Sequence, residues 1–140
     1  MASARICKAI DVPADAVWKL ISNFGDTSWM PPGTQVTLVG SGVGMERRIA
    51  AGPGKLIHER LLSLDERERA LGYAIPVNVP FPVSDYRATM RVRAQGAGCE
   101  LEWSASYECA PDAAPTIEKS VQGMYGMMID WIAARAKQLA

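Results

Sequence analysis

Histidine occurs once in this chain, cysteine three times and phenylalanine twice, while acidic and basic residues balance at 15 each. Each scarcity removes a class of function. The lone histidine, His58, has only scattered carboxylates for company, so no metal set forms. No serine, cysteine or second histidine stands where it would complete a nucleophilic triad. Cys7, Cys99 and Cys109 make neither a metal-type spacing nor an even disulfide set. Zero formal net charge gives no field that would draw the chain to nucleic acid or to an anionic membrane. No apolar run approaches the ~18 residues of a spanning helix, so membrane insertion is not expected. Residues Met1 to Ile10 lack the apolar stretch of a secretory leader and already read as a strand, so a reduced, cytoplasmic protein is expected. The turn Gly52-Pro-Gly-Lys55 lacks the Ser/Thr ending and following helix of a phosphate loop. There is no dinucleotide fingerprint either, and no cofactor is implied.

What is present is alternation. Along Tyr86 to Ala94, Tyr86, Ala88, Met90 and Val92 oppose Arg87, Thr89, Arg91 and Arg93. Along Cys99 to Cys109, Leu101, Trp103, Ala105 and Tyr107 oppose Glu100, Glu102, Ser104, Ser106 and Glu108. A period of two over this length predicts an antiparallel sheet with one dry and one wet face. The arginines then lie across from glutamates of the next strand, as a solvated face with cross-strand pairing requires.

Similar strands are predicted at 5–11, 34–39, 45–51, 55–65 and 69–76, separated by glycine-rich turns. Pro13 and Asp15 open a helix that buries Val17, Leu20, Ile21 and Phe24, and two short helices are expected after the first strand. Pro31-Pro32 forbids helix through that segment. Residues 77–83 carry prolines at 80 and 82 and are unusually apolar for a loop, which suggests that they cover something hydrophobic. A helix over 113–139, ~40 Å long, closes the chain. Its apolar stripe is Ile117, Val121, Met124, Met128, Ile132 and Leu139, with Tyr125 and Trp131 at the margins. The expected fold is thus a single α+β domain over residues 1–140. Its curved seven-stranded antiparallel sheet grips the C-terminal helix and leaves a cavity between them.

Among ionisable residues Glu59 stands out, because the strand period puts it on the side of Ile57 and Leu61. Two readings stay open: a general acid–base facing an apolar cavity, or a structural carboxylate paired with Arg47. His58 falls on the opposite, outer side. Tyr86 is the second candidate for catalysis, as a hydroxyl that orients or polarises a ligand. Arg47 is a candidate to orient the ligand alongside Glu59 and Tyr86, and the remaining candidate contacts come from inner faces: Ile49 and Leu61 from the early strands, Tyr73 from the middle. Ala88, Met90, Trp103 and Ala105 follow from the last pair. Val121, Met124 and Met128 face them from the helix.

The order of elements resembles the START-related, birch-pollen-allergen-like superfamily, which also holds polyketide cyclases and plant abscisic-acid receptors. The resemblance spans the whole chain. It is carried by Asp11-Val-Pro-Ala-Asp-Ala-Val-Trp18, Gly42-Val-Gly44, Gly52 and Glu59-Arg-Leu-Leu-Ser-Leu-Asp65. Gly72-Tyr-Ala-Ile75, Asp85-Tyr-Arg-Ala-Thr89 and Ser104-Ala-Ser-Tyr107 complete it. The likeness implies a helix-grip fold, with Glu59, Tyr73, Tyr86, Ala88 and Ala105 lining a pocket. Residues 50–55 then become a gate at its mouth and 77–83 the opposing lip. The lysine that holds a ligand carboxylate in the receptors corresponds to Met30, and the likeness is nearer to the bacterial polyketide cyclase/dehydrase-like branch. Three functions follow as expectations. The first is carriage or sensing of a small hydrophobic, aromatic or polyketide-like ligand. The second is a cofactor-free cyclase, dehydratase or lyase using Glu59. The third is docking on a larger enzyme through the gate loops. Self-association as a homodimer is compatible with all three.

Overall fold

The computed structural model describes residues 1–140. Seven strands form one sheet: β1 (Ala2–Ile10), β2 (Val36–Val39), β3 (Glu46–Ala50), β4 (Leu56–Asp65), β5 (Ala70–Val77), β6 (Ser84–Gln95) and β7 (Gly98–Glu108). Helix α1 (Ala14–Ser22) follows β1, and α2 (Ala114–Leu139) ends the chain. All neighbours are antiparallel, in the order β1-β7-β6-β5-β4-β3-β2. The only non-sequential pair is β1 with β7, so α1 and the segment after it carry the chain from one sheet edge to the other.

The alternation read in β6 and β7 is the alternation that forms. Tyr86, Ala88, Met90 and Val92 are buried, as are Leu101, Trp103, Ala105 and Tyr107. Arg93 pairs with Glu102 at 2.8 Å on the outer face. Register shifts between β4 and β5, one with its extra residue on β5 opposite His58 to Arg60 and one on β4 between Leu61 and Ser63, accompany the bend of the sheet. Gly98 is required at the β6–β7 turn, because a Cβ there would stand 2.5 Å from the Ile10 carbonyl oxygen.

One short helix forms after β1, where two are expected. Past Asn23 the chain breaks into successive turns, with Asp26 N–H bonding Asn23 O, Met30 N–H bonding Thr27 O and Thr34 N–H bonding Pro31 O. Gly25 and the Pro31-Pro32 pair leave too few consecutive helix-competent residues for a second nucleus.

Helix α2 is rotated from the expected stripe. Its buried residues are Ile117, Val121, Tyr125, Ile129, Ile132 and Ala136. Tyr125 therefore lies at the centre of the stripe, Met124 and Met128 flank it half-buried, and Leu139 is exposed. The cause is where the helix rests. It packs most closely on β1 and α1. Lys8 Nζ donates to the Gly126 carbonyl and pairs with Asp130, and an added Cβ on Gly126 would come within 3.3 Å of Ile6. Seated toward that edge, α2 stands away from β3 and β4, where space remains.

Candidate functional site

Arg47 and Glu59 are direct cross-strand partners on β3 and β4. Both point inward, and only 3% and 6% of their surfaces are exposed. Arg47 Nε donates to Glu59 Oε1 at 2.5 Å, and Nη1 donates to the Phe24 carbonyl at 3.2 Å. The guanidinium lies 3.9 Å from the centre of the Phe24 ring and 5.7 Å from that of Trp29. Of the two readings of Glu59, the paired carboxylate is present in full. Yet only one of its oxygens is engaged: no protein group donates to Oε2, which is not sealed off as the unpartnered Tyr107 and Tyr125 hydroxyls are but stays open toward the cavity.

Glu59 also forms part of the wall of a cavity of about 190 Å³ at the mouth between sheet and helix. Ile49 and Ile57 line it from the strands, Met124, Met128 and Trp131 from α2. Trp29, Met30, Pro31 and Thr34 come from the segment after α1, and Pro80 from the β5–β6 loop. Four residues singled out in the sequence thus meet here: Ile49, Glu59, Met124 and Met128. Trp29 and Trp131 were not foreseen. The first sits in an irregular segment with no period to orient it, and the second depends on the rotation of α2.

The other candidates lie deeper, in packed interior rather than on a cavity wall. Trp103 is fully buried and stacks on Tyr125, with centroids 4.6 Å apart and planes at 16°. Its Nε1 donates to the Tyr73 hydroxyl at 3.1 Å. Leu61, Ala88, Met90, Ala105 and Val121 pack around these rings. The hollow expected between the middle of the sheet and Val121 is therefore filled, chiefly by Tyr125 and Trp103. Tyr86 is buried between Phe81 and Tyr107, each about 6.2 Å away ring to ring.

Electrostatics keep these phenols neutral. Burial, reinforced by the Glu59 charge, raises the Tyr73 pKa well above its ordinary value. Burial also raises that of Tyr86, with smaller contributions from Tyr73 and Glu59. Both hydroxyls remain protonated across the physiological range.

The loop after β5 covers the interior as its composition suggests, with Phe81 stacked on Tyr86. The turn at 52–55 is exposed and contributes nothing to the cavity wall. A larger cleft of about 520 Å³ lies where β5 and β6 part beyond the Ala74–Arg87 pair. It is lined by Arg60, Ile75, Val79 and Arg87 among others, and Tyr86 borders this cleft rather than the apolar cavity. His58 is on the outer face, with Nδ1 3.6 Å from Glu46 Oε1. Glu46 is also held by Arg48 and Arg60, and the hydrogen bonds from Arg60 and then Arg48 lower its pKa. No helix is long and apolar enough to cross a membrane.

Several solved structures share this architecture. A protein from Thermobifida fusca, solved by NMR, is 31% identical, with 99% of this chain and 95% of that chain covered and a TM-score of 0.84. The protein XoxI from Bacillus cereus is 25% identical, with coverages of 99% and 98% and a TM-score of 0.81. Norcoclaurine synthase from Thalictrum flavum, in complex with dopamine and hydroxybenzaldehyde, is similar in fold. It is 21% identical over 97% of this chain and 86% of that one, with a TM-score of 0.79. No curated protein matches the chain by sequence. Residues 1–137 match the family described as polyketide cyclase / dehydrase and lipid transport, and the chain belongs to that family.

Proposed function

We propose that the protein binds a small, predominantly apolar molecule in the cavity between β3, β4 and α2, as a carrier or sensor. The observation that carries this reading is a partly open, apolar-walled cavity containing a single, half-engaged carboxylate. Walls of Trp, Met and Ile favour apolar guests. At about 190 Å³ it is smaller than the ~300–1,000 Å³ of drug-sized pockets. It is close to cavities of ~150 Å³ that take up benzene. One ring or a short acyl segment fits, and a multi-ring polyketide requires the 77–83 lip to move. Support also comes from a family description that includes lipid transport, and from a neighbour in fold solved with two small aromatic molecules.

The test is native mass spectrometry of the purified protein for a co-purified small molecule, together with thermal shifts against single-ring aromatics. A ligand at about 100 times its Kd stabilises by ~2.7 kcal/mol. Met128→Trp, which fills the cavity from α2, should abolish the shift while leaving the unliganded fold within ~1.5 kcal/mol of wild type. No bound mass and no shift with any aromatic would refute the proposal.

A second reading, a cofactor-free enzyme, is favoured by one observation: Glu59 Oε2 is free at the cavity, and the Tyr73 and Tyr86 hydroxyls are near enough to feel its charge. Glu59 would relay a proton to or from the guest, while the tyrosines, which do not line this cavity, would act on it only through Glu59. Glu59→Gln would then remove turnover with affinity kept within a few-fold, whereas a carrier shows no turnover in either form.

A further inference from the structure

The cavity wall constrains the polarity of its guest as well as its size. Trp29, Met30, Ile49, Met124, Met128 and Trp131 offer apolar contact on most sides. The Thr34 hydroxyl already donates to the Pro31 carbonyl at 2.7 Å. Glu59 is the only ionisable residue on the wall, and its remaining capacity is that of an acceptor. Because Oε2 is open to the cavity, a guest that fills the space strips it of water, a costly step unless the guest brings one O–H to replace that water.

Charge decides between donors. Arg47, itself buried, already balances Glu59 at 2.5 Å. An ammonium guest would place a second cation against a carboxylate that is already neutralised, with its own desolvation uncompensated. An anion is excluded more strongly. The only nearby cation is Arg47, engaged by Glu59, the Phe24 carbonyl and the Phe24 ring, and the wall itself supplies no positive charge.

We infer that the cavity selects a neutral single-ring hydroxyl compound, a phenol or aryl alcohol whose O–H donates to Glu59 Oε2. Carboxylates and amines of the same size are discriminated against. This rests on the small-molecule reading above and specifies its ligand class.

Isothermal titration calorimetry at pH 7 with phenol, toluene, benzoate and benzylammonium tests it. Phenol should bind about tenfold more tightly than toluene, the increment of one hydrogen bond to a charged acceptor. Benzoate and benzylammonium should bind at least tenfold more weakly than phenol. In the double variant Arg47→Met/Glu59→Leu, phenol and toluene should bind alike. Should that variant not fold, Glu59→Gln, whose amide oxygen is the weaker acceptor, should lower the phenol-to-toluene ratio. Equal affinity for phenol and toluene in the wild type overturns the hydroxyl selectivity while leaving an apolar binding site intact. Tightest binding of benzoate or benzylammonium overturns the charge argument. Failure of all four to bind defeats the cavity reading itself, and the inference falls with it.

Discussion

Removing Arg47 while keeping Glu59 is the most demanding perturbation of this fold. Methionine matches the arginine stem in length and leaves a carboxylate that is 6% exposed without its counter-ion. Breaking a buried pair from one side costs ~3–5 kcal/mol, because the surviving charge stays desolvated. Arg47 also loses its stacking on Phe24, ~0.5–2 kcal/mol, and its hydrogen bond to the Phe24 carbonyl, ~1 kcal/mol. These contributions overlap, so about 4 kcal/mol is expected for Arg47→Met, a large share of the ~5–15 kcal/mol that holds a domain together. Arg47→Met/Glu59→Leu should recover most of this, since apolar residues of similar volume replace such pairs at little cost. Urea unfolding of wild type, both single variants and the double variant completes a thermodynamic cycle. A coupling energy of about 2–3 kcal/mol is expected. A single variant within 1 kcal/mol of wild type, or a double variant as unstable as the worse single one, would show that the pair is effectively solvated and refute the reasoning.

Glu46 makes a pH prediction. Its folded pKa is lowered by Arg60 and Arg48, so its contribution to stability is complete above the unfolded carboxylate value and is lost as pH falls through the lower folded value. Unfolding followed from pH 7 into the acid range should show this loss, and Glu46→Gln should flatten the profile. An unchanged acid limb would remove Glu46 from the account. Gly98→Ala should destabilise by roughly 1–3 kcal/mol, because its Cβ would have to displace the Ile10 carbonyl at the β1–β7 edge. Denaturant midpoints with an unchanged slope would measure it.

Much of the sheet was legible because strands speak through a period of two. Cys99 to Cys109 could lie in only one phase that buries Trp103 and Tyr107 and exposes Glu100 and Glu102. The Arg47–Glu59 pairing was legible for the same reason. Once Ile57 and Leu61 face inward, Glu59 must follow, and a buried carboxylate needs a partner. The helix was harder. Its Met, Tyr and Ile residues crowd neighbouring positions, so several stripes only tens of degrees apart bury similar apolar area. Trp29 was beyond reach, since the irregular segment from Asn23 to Gln35 has no repeat from which to infer direction, and Met30 was placed at the pocket only by the family resemblance.

The chain's own chemistry determined an antiparallel sheet with one wet and one dry face, a terminal helix, a zero net charge and an inward-facing carboxylate. Those features follow from local period and from the cost of burying charge, which act wherever the segment sits. Tertiary packing decided how α2 is rotated, how much of the interior Tyr125 and Trp103 fill, and that the free space lies at one end. Such outcomes depend on Lys8 and Gly126 drawing the helix toward β1, contacts between residues more than a hundred positions apart. Cavity volume is what is left after large surfaces meet, and a difference of that kind is encoded in no single segment.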